Sequence, residues 1–62
     1  MTQFTAQEKH DAAIREVKLR KWVYPNRVSA KKMSQAKADQ EIAVMEAIAA
    51  DYEVLAAKER LI

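Results

Sequence analysis

One proline and no glycine punctuate the 62 residues of this chain. Tight primed hairpin turns, phosphate-cradling loops and nucleotide-binding fingerprints all need glycine, so none of them is available. Few aromatic and β-branched residues are present to build a sheet. What remains is a pair of long helices broken once, at Pro25. A chain this short builds one core at most, so residues 1–62 read as a single domain. The chain also has no cysteine, which removes disulfides, zinc–thiolate sites and thiol chemistry.

The first helix has a clear start. Thr5-Ala6-Gln7-Glu8 fits a capping box, with the Thr hydroxyl accepting from the amide three residues on and the Glu reaching back. Its end is expected near Val23, because Pro25 lacks an N–H and disfavours the α region at Tyr24. Asp11 with Arg15, and Glu16 with Arg20, stand as acid-before-base pairs at i,i+4. The apolar positions form two sectors: Ala13, Ile14, Val17 and Tyr24 on one face, and Ala12, Leu19 and Val23 nearly opposite, with Trp22 beside them. A helix wetted on one side needs only one stripe, so two stripes predict cover on both sides.

Residues 24–33 read as the connector. A glycine would normally supply its left-handed position, and here Lys31 or Lys32 must do so. Ser34 is an N-cap for a second helix that runs unbroken over about residues 35–60. Its apolar stripe is the strongest pattern in the chain. Ala38, Ile42, Met45, Ala49, Tyr52 and Ala56 recur in steps of four and three, with Ile48 and Leu55 widening one flank. Three apolar positions per heptad belong to a bundle rather than a two-stranded zipper.

The expected fold is therefore all-α: an antiparallel two-helix hairpin. Cores of this size supply only about 3–5 kcal/mol, and no staple is present. Self-association into a four-helix bundle, as a twofold dimer or higher, is the expected remedy. Ile42, Met45, Ile48, Ala49, Tyr52 and Leu55 are the expected oligomer core. The second stripe of the first helix and Leu61-Ile62 are further surfaces to bury.

The net charge of +2 conceals an asymmetry. Arg15 to Lys37 holds eight basic residues against one acid, whereas Ala38 to Ile62 holds six acids against two bases. Candidate chemistry is sparse. His10 is the only histidine, and no Cys or spaced carboxylate joins it as a metal ligand. Glu41 and Glu59 lie near the second stripe without a pocket to share, so neither enzyme activity nor a cofactor is expected.

The residues that stand out for binding are Trp22 and Tyr24 among Arg20, Lys21 and Arg27, placed by this reading at the hairpin tip. Aromatic residues and arginine dominate protein interfaces, so an unidentified protein is the expected partner. Basic residues interleaved with aromatics also fit nucleic acid, which is the alternative. No apolar run reaches the length that crosses a bilayer, no single clean apolar face fits a membrane surface, and the first residues resemble no signal peptide. A cytoplasmic protein is expected.

Arg15-Glu16-Val17, Val23-Tyr24-Pro25, Val28, Met33-Ser34-Gln35-Ala36-Lys37-Ala38-Asp39, Glu41-Ile42 and Met45-Glu46-Ala47-Ile48 resemble a set of short uncharacterised proteins encoded by bacteriophages and prophages. The resemblance covers about residues 15–52. Its relatives often carry a glycine where this chain has Lys31-Lys32. The resemblance implies a phage gene product working in a host bacterial cell. Small phage proteins commonly act by binding a host or phage protein, sometimes to block a defence system.

Overall fold

The computed structural model describes residues 3–61. They form two antiparallel α-helices, α1 (Ala6–Ser29) and α2 (Gln35–Arg60), joined by a five-residue turn. The hairpin is a rod of 47 × 19 × 17 Å. Among the described residues no helix is long and apolar enough to cross a membrane. Ile62, one of the expected burial positions, lies outside the described residues. Leu61 is 87% exposed.

Both expected N-caps are formed. Thr5 Oγ1 accepts from the Glu8 amide at 3.0 Å, and the Thr5 amide donates to Glu8 Oε1 at 3.0 Å. The Ser34 hydroxyl accepts from the Lys37 amide at 3.1 Å. Each satisfies amides that the first turn of a helix leaves without partners.

The end of α1 corrects the sequence reading. The helix does not stop near Val23 but runs through Pro25 to Ser29, so the connector spans 30–34 rather than 24–33. Pro25 sits on the exposed side of the helix, where its ring meets solvent and its missing N–H costs one main-chain bond. Continuing past it keeps Tyr24 and Val28 half-buried against α2 and gives access to a well-bonded end. The Lys32 amide donates to the Arg27 carbonyl at 2.9 Å, and the Lys31 amide to the Val28 carbonyl at 3.0 Å. Lys31 has φ of 61°. Together these form a Schellman closure with lysine in the left-handed position usually held by glycine.

The seam between the helices is narrow and lined by small residues. Ala6, Ala13 and Val17 of α1 and Ala38, Ala49 and Ala56 of α2 are buried. Ile42, Met45 and Tyr52 are half-buried around them. The alternative stripes of α1 are thereby resolved: the Ala13–Val17–Tyr24 sector faces α2, while Leu19 and Trp22 stay open, at 49% and 77% exposure.

Candidate interaction surface

Part of the charge asymmetry in the sequence is spent inside the hairpin. Antiparallel pairing sets the basic part of α1 beside the acidic part of α2. Lys21 Nζ meets Glu46 Oε2 at 3.1 Å. His10 Nε2 lies 3.3 Å from Glu53 Oε2, and its Nδ1 lies 3.2 Å from Asp11 Oδ1. Both carboxylates only accept, so both contacts become hydrogen bonds when the ring carries two protons. Arg60 reaches Glu53 at 3.6 Å and donates to Gln7 Oε1 at 2.6 Å. At the open end, the Glu59 carboxylate accepts from the Ala6 amide at 3.2 Å. An acid from the last turn of α2 thus sits on the positive N-terminus of α1.

Arg20 is the centre of this network. Its Nε donates to Glu16 Oε1 at 2.9 Å, and its Nη1 donates to the main-chain carbonyl of Glu41 at 2.8 Å. The Glu41 carboxylate lies 3.6 Å from the same nitrogen and 2.8 Å from Lys37 Nζ. The hydrogen bond from Lys37 holds the Glu41 carboxyl below its ordinary value, with Arg20 adding to the effect, and the Lys37 ammonium is raised in return. The bond to Glu16 keeps Arg20 firmly protonated. Of the two expected i,i+4 pairs, Glu16–Arg20 forms. Asp11 instead accepts from Gln7 Nε2 at 2.9 Å, and that bond, with the His10 contact, lowers its pKa.

The five expected partner-binding residues therefore divide. Arg20 belongs to the seam, with its side chain 20% exposed. Tyr24 is half-buried, with the guanidinium groups of Arg20 and Arg27 at 6.0 and 5.9 Å from its ring centroid. Lys21 is exposed but paired with Glu46. Trp22 and Arg27 remain as free surface. They do not form the hairpin tip, because the extended α1 places Trp22 about 12 Å before the turn at 1.5 Å per residue. Among the described residues Lys18, Arg27, Lys31 and Lys32 form no ion pair.

The expected oligomer core divides as well. Ala49 is buried, and Ile42, Met45 and Tyr52 are half-buried, all within the hairpin seam. Ile48 and Leu55 lie outside it, 37% and 46% exposed, with Val44 at 47%. Sequence reasoning treated these positions as one face, because a three-per-heptad stripe does not announce which edge an intrachain neighbour covers. Glu59 was legible only as an acid beside the stripe. Its role at the α1 N-terminus needed the axial register of the two helices.

On the flank of the hairpin carrying His10 and Glu53, a shallow groove of about 460 Å³ runs between the helices, lined by Ile14, Lys18, Lys21, Glu46 and Ala50 among others. Its two carboxylates are already engaged by Lys21, His10 and Arg60. Among the described residues no cluster of three or more His, Asp or Glu is placed to hold a metal ion. The chain matches no protein-family model, no curated protein and no solved structure.

Proposed function

We propose that this chain is a small non-enzymatic interaction module of phage origin that works in the cytoplasm of a bacterial host, associating with itself and binding a host or phage protein. The observation that carries the reading is Trp22. It is the only tryptophan and is 77% exposed on a rigid helix, next to the 49% exposed Leu19. An indole held out on a scaffold loses little conformational freedom on binding and fills a pocket of a partner. Unpaired Lys18 and Arg27 on the same helix would steer approach to an acidic surface. The resemblance of residues 15–52 to short phage proteins supports the cellular context, and occlusion of the partner's own surface is the mechanism.

The alternative is a nucleic-acid-binding accessory protein. It is favoured by the unpaired Lys18, Arg27, Lys31 and Lys32 along one half of the rod, with Trp22 among them as a stacking platform. It is weakened by the internal pairing of Arg20, Lys21 and Lys37.

The test compares intact protein with Trp22→Ala in capture from host lysate and in binding to labelled single- and double-stranded oligonucleotides at low salt. A captured protein that is lost with the variant, at unchanged helicity, supports the interaction reading. Oligonucleotide binding with a steep salt dependence replaces it with the alternative. Loss of helicity in Trp22→Ala overturns the assignment of Trp22 as a binding anchor.

A further inference from the structure

The pairs Lys21–Glu46 and His10–Glu53 mark one flank of the hairpin. At 100° per residue, the opposite flank carries Ala12, Leu19 and Val23 of α1 and Val44, Ile48 and Leu55 of α2. These apolar side chains share one long side of the rod, and the four largest beyond Val23 are 37–49% exposed. The total accessible surface is 4917 Å². A compact protein of 7.1 kDa is expected to expose about 4,100 Å². The excess, roughly 800 Å², equals what a standard interface takes from each partner.

We infer that this flank is covered by a second copy of the chain, related by a twofold axis parallel to the helices, so that α1 of each copy lies along α2 of the other. This deepens the self-association proposed above by naming its surface and symmetry. The internal contacts bound the register: Arg20 meets Glu41, His10 meets Glu53, Ala6 meets Glu59 and Lys21 meets Glu46. Rotation about an axis along the rod preserves these heights. Reading along the new seam, Leu55, Ala12 and Ile48, then Leu19 and Val44 at one level, then Val23, are contributed by both helices and pack against one another.

Charge selects this arrangement over the other twofold packing. On the outer edge of the same flank α1 carries Glu8 and Arg15, and α2 carries Lys58 and Asp51, offset along the rod within one residue of the internal pairs Lys21–Glu46 and Gln7–Arg60. The parallel axis sets Glu8 against Lys58 of the second copy and Arg15 against its Asp51. Among the described residues Arg15, Lys58 and Asp51 form no ion pair within the hairpin. An axis across the rod would instead bring Lys58 against Lys37 of the second copy and leave Asp51 beside Val44. The Glu16–Arg20–Glu41–Lys37 network lies at the centre of the covered flank, with each charge already paired in its own copy. Arg27, two turns nearer the connector on the same side of α1, is exposed. Trp22 lies 60° around α1 from Leu19, at the outer margin of this seam, one on each side of the dimer.

The chain lacks cysteine, so a single Ala30→Cys carries a spin label at the turn. Sedimentation equilibrium across micromolar to millimolar concentration is expected to show a dimer. Turn-to-turn backbone separations are expected at about 11–14 Å, the diagonal of a square of helices about 8–10 Å apart, with the reach of the labels added. Arg15→Glu is expected to weaken association about tenfold, and Arg15→Glu with Asp51→Arg to restore it. A monomer throughout overturns the proposal, as does a label separation approaching the 47 Å length of the rod. A double variant no tighter than the single one overturns the pairing. The label distance requires no change at the seam, so it decides the symmetry even where a charge reversal lowers helicity. Because Trp22 lies at the margin of the seam rather than within it, a failed dimer leaves the Trp22 reading standing, and a failed capture leaves the dimer standing.

Discussion

Arg20 of α1 donates a hydrogen bond to the main-chain carbonyl of Glu41, in the second turn of α2, at 2.8 Å. Helix carbonyls are normally occupied by the amide four residues on, so this is a second bond to an already used acceptor. It fixes the height of one helix against the other, which a seam of alanines does only weakly.

Arg20→Met keeps an unbranched apolar stem and removes the donors. Glu16 and Glu41 then face each other without the cation between them. With Arg20 20% exposed, the expected loss is about 1–2 kcal/mol after allowance for solvent. Thermal unfolding followed by circular dichroism measures it. A melting temperature equal to that of the parent would show that the bond to Glu41 contributes nothing.

Lys31 holds φ of 61° without being glycine. Lys31→Gly removes the contact between Cβ and the main chain and is expected to stabilise by about 1 kcal/mol. In a chain of this size that raises the melting temperature by about 4–8 °C. Lys31→Ala retains the Cβ and gains nothing, so the pair of variants separates backbone conformation from loss of charge.

Asp11 and Glu41 both have carboxyls held below their ordinary values, through hydrogen bonds from Gln7 and Lys37 respectively. A folded-state pKa below the unfolded one means the unfolded chain binds protons first. The stabilisation is therefore fully present above the ordinary carboxylate range, near pH 4. It is lost as pH falls through the lowered values. Urea midpoints measured between neutral and acid pH are expected to decline in that window, and Glu41→Gln to flatten the decline. A midpoint rising with acid would contradict the assignment.

Ala49 is 4% exposed in the middle of the seam. Ala49→Leu adds three carbons where the helices approach closely, and the cost of overpacking is about 1–3 kcal/mol. Ala47→Leu, one turn face away on the exposed side, serves as the control and is expected to change stability by less than about 0.5 kcal/mol. Equal effects would place the seam elsewhere.

Much of the fold was legible because its signals are local. Thr5, Glu8 and Ser34 act through amides within three residues, and both caps form as the sequence reads. The requirement for a left-handed lysine at 31 or 32 followed from the missing glycine alone. Pro25 misled because its penalty is local and its compensation is not. The half-buried Tyr24 and Val28 gain contact with α2 only if α1 continues. The same limit applies to the surface. Arg20 and Trp22 are two residues apart and alike in promise, yet one lies in a crevice against Glu41 and the other stands clear. Nothing in the spacing of one helix says where its neighbour's acids will fall.

The buried residues of the seam are five alanines and one valine, and ionic latches run along its margins. Such a hairpin resembles a zip fastener more than a droplet of oil. Concentrated salt loosens its teeth while leaving its apolar contacts intact, so the two halves are expected to part more readily in brine than in dilute buffer.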